Sequence, residues 1–403
     1  MLQANKLAVM SGRNWGVNPK LTRLWYKTVA ERKICYAAST WAENLNTKKI
    51  AQLSSIQRLF TLRITRAYRT APSSALLILS GLPPLHLTVK KEAIITNVTR
   101  LGKNDKFGST HFNTIEYDTQ ISQWTEPPWS KPSTTLENHL PSSNITIYTD
   151  GSKINNQMGS AFVAYKTEKE IFNWQGKLNN KNSVYQAELL AIFKALQWAK
   201  QNDFSKISIK TDSMSSIQAI RKFFNKNHLV QKIRNIIQEL RTKQISIEWI
   251  KAHTGIMGNE RADFLAKDAT TNPDSFLESL PTPKSYIRYH LKKLFEQQWQ
   301  EEWDTATTGR RTHNFLPKVS HKMATNLLIT YFVTGHGPFP NYLNRFGITE
   351  NDLCLCGESG TPDHYLFSCP MTDFNHEEKP PSTLYKEWAI QAAKNKIIKE
   401  KKL

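Results

Sequence analysis

Four acidic residues in the middle of the chain have the type and spacing suited to binding a hard metal ion. Asp150 and Asp212 are predicted to close two β-strands, and Glu188 and Asp263 to lie near the starts of two helices. Carboxylates at neighbouring strand ends can converge on one spot, where their repulsion is tolerable only with a cation among them. Oxygen ligands without His or Cys favour Mg²⁺ or Mn²⁺. Two such ions about 4 Å apart can clamp the attacking water and the leaving oxygen of a phosphodiester. Taken singly, each acid is better explained as a surface charge or a helix cap, but the four together favour the metal site.

The elements that would position these acids can be predicted from hydrophobic periodicity. Five stretches have the pattern of strands: 144–150, 158–165, 171–176, 206–212 and 244–252. Three have the pattern of helices: 183–198, 229–240 and 258–269. Ser183 and Gln186 have the spacing of a capping box, and Asn259 is predicted to cap the last helix. The order β-β-β-α-β-α-β-α predicts an α/β fold, with a five-stranded mixed sheet and flanking helices.

Composition points to an anionic partner. The chain has 403 residues, enough for two or three domains, and its 39% hydrophobic content predicts globular structure. The net charge of +20 favours nucleic acid as the partner. An anionic membrane surface, or a basic tail without a partner, would also fit this charge. The sequence has no uninterrupted apolar stretch of about 18 residues and no clear signal peptide, so we expect no membrane span and an intracellular location, nuclear or cytoplasmic.

A second group of metal-ligand residues lies near the C-terminus. Cys354, Cys356, His364 and Cys369 make a complete set for tetrahedral zinc, although the C-x-C spacing is tighter than usual. A coincidental cluster of buried thiols is the alternative. With only Cys35 elsewhere, the cysteines predict a reducing compartment and a structural zinc site rather than a disulfide framework. We expect this short segment to have little core of its own.

The residues around the four acids resemble the ribonuclease H family in order and spacing, over about 130 residues. The matching sequence segments are YTDGS at 148–152, QAELLAI at 186–192, TDSMSS at 211–216 and KAHTGIMGNERADFLAK at 251–267. The resemblance implies that Asp150, Glu188, Asp212 and Asp263 are the catalytic carboxylates that bind two Mg²⁺ ions, for which Mn²⁺ can substitute. It also implies that His253 assists proton transfer or product release. A histidine in a glycine-containing loop can do this because it titrates near neutral pH.

Selectivity for an RNA–DNA hybrid would come from contacts to 2′-hydroxyls on one strand and to the deoxyribose backbone of the other. Five small or polar residues beside the acids are candidates for these contacts: Gly151, Ser152, Ser183, Gln186 and Ser213. Turn and cap chemistry explains the same residues equally well. Some family members carry a basic, Trp-rich insertion between the middle helices, but here only Arg221, Lys222 and Lys226 occupy that stretch. We therefore expect flanking basic regions to contribute to substrate binding, including contacts to single-stranded RNA or DNA.

The flanking regions resemble the C-terminal part of non-LTR retrotransposon polyproteins. DLCLCGESGTPDHYLFSCP at 352–370 resembles their cysteine–histidine motif, and 36–46 and 56–87 resemble the helical segment after the polymerase palm. Apolar residues at a helical period from Ile50 to Ile64 predict a helical segment at 1–98, with a break at Gly81, Pro83 and Pro84. The polar, Pro-bearing composition that follows predicts a linker at 99–143. The resemblance implies a ribonuclease H domain at 144–274 and a C-terminal helical region with a basic tail at 275–403.

A polymerase motif of the Tyr-x-Asp-Asp type is absent from the sequence. The chain therefore resembles a truncated copy or a partial gene model, and reverse transcription by it alone is not expected. Two functions fit these observations: an active ribonuclease H, or a catalytically inactive nucleic-acid-binding relic.

Overall fold

A computed structural model of the chain describes residues 16–118, 144–222, 225, 227–273, 275–323, 326–381, 383–385, 387, 388 and 391. The first fifteen residues, the predicted linker from 119 to 143, Lys226 and the basic tail after 391 lie outside the described residues. Two compact units are present: residues 95–289 form one, and the flanking N-terminal and C-terminal segments together form the other. No helix in the described part of the chain is long and apolar enough to cross a membrane.

The N-terminal segment is helical, as its periodicity predicts. Its helices are α1 (Pro19–Trp25), α2 (Glu31–Ile34), α3 (Ala38–Trp41), α4 (Thr47–Thr65), α5 (Ser73–Ser80) and α6 (Leu85–Thr96), with π-helical turns at Tyr26–Ala30 and Asn97–Leu101 and a 3₁₀ turn at Ala42–Asn44. Asn46 caps α4 by accepting a hydrogen bond from the Lys49 amide. Gly81 ends α5 with a φ of 62°, a conformation that glycine adopts without strain. The predicted break before α6 is therefore confirmed.

Residues 99–118, which we predicted to be linker, contain ordered structure. Strands β1 (Asp105–Phe107) and β2 (Thr110–Phe112) form an antiparallel hairpin, followed by a 3₁₀ turn at Thr114–Glu116. The Asp118 amide donates to the Thr282 carbonyl at 2.8 Å, and the Thr282 amide donates to the Glu116 carbonyl at 2.7 Å. These bonds attach the segment to the unit formed by 95–289. The linker prediction was wrong here because polar, alternating residues also fit a short exposed hairpin.

A mixed sheet forms the centre of the 95–289 unit. Its strands are β3 (Ile145–Ile154), β4 (Gln157–Lys166), β5 (Lys169–Leu178), β6 (Lys206–Thr211), β7 (Gln244–Trp249) and β8 (Phe276–Glu278), in the order β7-β6-β3-β4-β5-β8. Strands β3, β4 and β5 form an antiparallel meander, and β6 and β7 add in parallel beside β3. Five of these strands were predicted. The sixth, β8, has only three residues and pairs in parallel with the edge strand β5.

Helices α7 (Val184–Gln201), α8 (Met214–Arg221), α9 (His228–Glu239) and α10 (Met257–Thr271) flank the sheet. The capping box predicted at Ser183 and Gln186 is present at the start of α7. The short α8 was not predicted. Asn259 does not cap α10, because that helix begins earlier, after Ile256, and Asn259 is buried inside its first turn.

The C-terminal segment completes the second unit by packing on the N-terminal helices. It contains α11 (Lys284–Thr305), α12 (Arg310–Phe315), α13 (Leu327–Thr334), α14 (Pro340–Asn344), α15 (Pro362–Phe367) and a 3₁₀ turn at Pro370–Asn375. One core cluster joins Leu79 to Phe315, Phe332 and Leu366. Arg23 also donates to the carbonyls of Ser80 and His321, at 2.8 and 2.7 Å. The two flanks, which we predicted as separate regions, therefore share one core.

Candidate active site and metal centres

Three of the four predicted acids meet at one point of the sheet. Asp150, Glu188 and Asp212 each offer a carboxylate oxygen, and these oxygens lie within 4.8 Å of one another. The parallel pairing of β3 with β6 ends at Thr149 and Thr211, so the next residue on each strand is an acid. Asp150 does not close its strand as predicted, since β3 continues to Ile154 along β4. The end of β6, rather than the end of β3, creates the site.

Gly151 allows α7 to bring Glu188 against β3. A Cβ at this position would lie 2.5 Å from the Glu188 nitrogen and 2.9 Å from the Ala187 carbonyl carbon, which no side chain tolerates. The Gly151 amide also hydrogen-bonds the carboxylates of Asp150 and Glu188. This glycine is therefore required for the close approach of helix and strand, and it supplies a donor to two of the acids.

The electrostatics of the cluster favour a bound cation. Burial raises the pKa of Asp150 to about 7, and the charges of Asp212 and Asp263 act in the same direction. Burial, together with the charges of Asp150 and Asp212, also raises the pKa of Glu188 well above its usual range. Glu188 Oε2 is buried and has no hydrogen-bond partner among the described residues. An orphaned buried carboxylate oxygen beside two other carboxylates fits a hard divalent ion.

Asp263, the fourth predicted acid, lies beside this group but outside the set of three. It is half-buried on α10, and its charge contributes to the raised pKa values of Asp150 and Asp212. One turn later, Lys267 Nζ lies 2.6 Å from Asp263 Oδ2. This hydrogen bond raises the pKa of Lys267, so the ammonium stays charged.

His253 and two residues that we did not predict surround Asp212. His253 is exposed, has a left-handed φ of 54°, and its charge acts to lower the pKa of Asp212. The Asn259 side chain hydrogen-bonds the Asp212 carboxylate. Trp249, at the end of β7, donates from Nε1 to the Asp212 carbonyl at 3.0 Å. The sequence offered one clue to each of these two residues. Asn259 is a polar residue in the first turn of α10, and Trp249 is an aromatic residue at the end of a strand.

The predicted substrate-contact residues fall into two groups. Ser152 is half-buried on β3, and Ser213 follows Asp212 with its Oγ 2.8 Å from Ser216 Oγ. Gln186 is buried: its Nε2 donates to the Pro281 carbonyl at 2.9 Å, and its Oε1 accepts from the Ser183 amide at 3.2 Å. The geometry of Ser183 and Gln186 favours the cap role, which was the alternative explanation.

The Cys/His group also comes together. One ligand atom from each of Cys354, Cys356, His364 and Cys369 lies within 4.8 Å of the others. Cys354 Sγ and Cys369 Sγ are 3.6 Å apart, close to the roughly 3.8 Å expected between sulfur ligands of one tetrahedral zinc. Cys356 Sγ lies 3.2 Å from His364 Nε2, and Ser368 Oγ lies 3.3 Å from the other ring nitrogen. The donor set fits zinc.

The zinc-type segment packs on residues elsewhere in the chain rather than on a core of its own. Leu366, on the helix that carries His364, is buried against Leu79 and Phe332. Arg311 binds both carboxylate oxygens of Asp363, at 2.7 and 3.0 Å. The local sequence could not predict this packing because the contacting residues lie far away in the chain.

Comparison with known proteins agrees with this fold. The family model described as RNase H matches residues 142–271. The Pol polyprotein from type-1 retrotransposable element R1 of Popillia japonica is 31% identical over 199 residues, covering 49% of this chain and 80% of that protein. The corresponding polyprotein of Bradysia coprophila is 35% identical over 100 residues, 23% of this chain and 10% of its own length. Ribonuclease H of Campylobacter jejuni is 32% identical over 136 residues, 31% of this chain and 90% of the enzyme.

The sheet topology, the acid cluster and the family match together define a hydrolase of the ribonuclease H class. The chain belongs to the ribonuclease H family, and it carries this domain within a protein of the non-LTR retrotransposon Pol type.

Proposed function

We propose that residues 142–271 hydrolyse the RNA strand of RNA–DNA hybrids. The observation that carries the proposal is the group of three carboxylates within 4.8 Å of one another, in a domain matched by the RNase H family model. The Campylobacter jejuni relative that bears the name ribonuclease H supports the substrate class, since this chain covers 90% of it.

The acids would hold two Mg²⁺ ions, or Mn²⁺ in their place. Asp150, Glu188 and Asp212 would hold one ion, and Asp263, whose charge acts on Asp150, would help to hold the other. When bound, such ions activate a water as nucleophile and stabilise charge on the leaving oxygen. The buried, unpartnered Glu188 Oε2 supports a ligand role for that residue. Asn259 and Trp249 hold the carboxylate and the backbone of Asp212 in place.

His253 would move a proton or assist product release. Its exposed loop position, close enough to Asp212 to affect that carboxylate electrostatically, suits a group that approaches the scissile phosphate. Gly151, Ser152 and Ser213 are the candidates for contacts to the hybrid, because they adjoin the acids. Contacts from Ser183, Gln186 and the flanking basic regions to hybrid or single-stranded nucleic acid stay predictions.

We also propose one structural Zn²⁺ bound by Cys354, Cys356, His364 and Cys369. Four protein ligands fill a tetrahedral shell and leave no open position for catalysis. This ion would fasten the loop at 354–356 to α15 and the residues after it.

The second candidate function is a nucleic-acid-binding relic without catalysis. Both candidates predict hybrid binding, so cleavage distinguishes them. Purified chain should cut the RNA strand of a labelled hybrid in Mg²⁺ and not in EDTA, while duplex DNA and single-stranded RNA stay uncut. Retained hybrid binding without cleavage in either Mg²⁺ or Mn²⁺ would identify the relic. Presence of all four acids favours the active enzyme.

A further inference from the structure

The fourth acid of the site already has a cation beside it. Asp263 and Lys267 lie one turn apart on α10, and Lys267 Nζ is 2.6 Å from Asp263 Oδ2. The lysine charge also acts on Asp150, which Asp263 influences in the opposite direction. The ammonium therefore lies within the same negative region that a second divalent ion would enter.

We propose that Lys267 is a positioning residue that competes with the second divalent ion for Asp263 and so sets the metal concentration at which the site fills. This inference rests on the proposed function, and it deepens it by assigning a regulator of metal binding. Lys267 is exposed, with a flexible side chain that can leave Asp263 when a divalent ion arrives.

The three-carboxylate group differs from Asp263 in this respect. Glu188 Oε2 is buried without a partner among the described residues, so an ion bound there displaces no protein cation. At Asp263, an incoming ion must replace an ion pair before it gains a ligand. We therefore expect unequal affinities: a tight site at Asp150, Glu188 and Asp212, and a weaker one that includes Asp263.

Two other roles for Lys267 make different predictions. A lysine that only stabilises α10 as an i,i+4 pair would change stability by about 0.5 kcal/mol or less and leave metal affinity unchanged. A lysine that binds a substrate phosphate would change the KM for the hybrid and leave metal binding without substrate unchanged.

The experiment titrates Mn²⁺ into the full chain by calorimetry, without substrate and after one equivalent of Zn²⁺ has been added. Lys267→Gln should tighten the weaker Mn²⁺ event about three- to tenfold, because a competing unit charge at ion-pair distance is removed. Lys267→Arg keeps the charge and should resemble the wild type. Lys200→Gln is the matched control, since Lys200 forms an exposed ion pair of 2.8 Å with Glu239 on other helices of the same unit.

The half-saturating Mg²⁺ concentration for hybrid cleavage should fall in parallel in Lys267→Gln. Unchanged or weaker Mn²⁺ binding in this variant overturns the inference, and so does a change confined to the KM for the hybrid. Asp263→Asn should remove the weaker event altogether. Because calorimetry needs no cleavage, a wild-type chain that binds Mn²⁺ but does not cut hybrid would refute the proposed function and still decide the role of Lys267.

Discussion

The acid cluster and the Cys/His cluster bring their ligands together in different ways. Asp150, Glu188 and Asp212 come from β3, α7 and the end of β6, so the sheet must form before they meet. The four zinc-type ligands lie between 354 and 369, within one short segment. The fold positions the ligands of a dispersed site, and a metal bound there can take part in catalysis. The ligands of a local site have few other contacts to position them, so a metal bound there contributes to the folding free energy.

The structure qualifies this contrast at one point. The helix carrying His364 packs through Leu366 on a core that includes Leu79 from the N-terminal segment. The ion pair of Arg311 with Asp363 attaches the same helix to α12. Loss of zinc should therefore destabilise the whole unit formed by the two flanks rather than the ligand segment alone.

The largest expected effect breaks the dispersed site while leaving its fold intact. Asp150→Asn removes a charge from the centre of the acid cluster without changing its shape, so cleavage of a labelled hybrid should fall by about 10³-fold or more, over ~4 kcal/mol of barrier. Hybrid binding should survive. Single-turnover cleavage measures this, with Asp203→Asn on an exposed loop as the control. A residual rate above roughly a tenth of wild type would remove Asp150 from the catalytic set.

The second prediction breaks the local site. Cys369→Ser, at a fully buried ligand position, should abolish zinc binding and destabilise the unit formed by the two flanks by on the order of 3 kcal/mol. Hybrid cleavage should change by no more than about twofold, since the two sites belong to different units. Cys35→Ser is the matched control, because Cys35 is outside the cluster.

Limited proteolysis with metal analysis distinguishes the outcomes for zinc. New cleavage in the N-terminal helices as well as around 350–372 is expected in Cys369→Ser. Cleavage confined to the ligand segment would mean that zinc stabilises that segment alone. Wild-type protein containing less than about half an equivalent of zinc would favour a coincidental thiol cluster.

The third prediction separates proton transfer from metal binding within the acid site. His253→Ala should slow turnover by about 10²-fold, the usual contribution of a proton-transfer group, and leave Mn²⁺ affinity unchanged. Because the loop is exposed, the substitution should change the free energy of unfolding very little. Turnover measured beside Asp150→Asn tests the ranking. If His253→Ala is as inactive as the Asp150 variant, the loop has a metal-binding or structural role instead.

The smallest effect concerns stability without divalent ions. The raised pKa of Asp150, about 7 when folded, means that the folded state binds a proton more tightly than the unfolded state. Stability contributed by this protonation is present at low pH and is lost as the pH rises from about 4 to about 7. Asp150→Asn mimics the protonated form, so it should stabilise the metal-free chain at pH 8 by on the order of 2 kcal/mol and hardly at all at pH 4.

Urea unfolding in EDTA at the two pH values measures this difference, followed through a probe in the sheet-containing unit. Added Mg²⁺ should reverse the ranking at pH 8, because the ion then stabilises the wild-type carboxylates. A variant less stable than wild type in EDTA at pH 8 would show that the carboxylate is stabilised by a resident protein group.

Much of the fold and site could be predicted because the signals are local. Short sequence motifs were enough to predict the capping box at Ser183 and Gln186, the break at Gly81 and the residues of the two ligand clusters. Four features could not be predicted in this way. The hairpin at 105–112 has too few apolar residues to distinguish it from a linker. Strand β8 has only three residues, and helix α8 is short. The start of α10 before Asn259 depends on packing against Tyr148, which Gly258 approaches closely.

By itself, the sequence determined which side chains are candidates for the chemistry: carboxylates for hard ions, thiols with an imidazole for zinc, and a histidine ten residues before Asp263. Only the tertiary structure decided their relations. Strand β6 ends at Thr211, which places Asp212 beside Asp150. Gly151 allows α7 to pack closely on β3, and Lys267 forms an ion pair with Asp263. The physical reason is that ligand type is a property of single residues, whereas repulsion, burial and competition for a cation depend on distances between residues far apart in the chain.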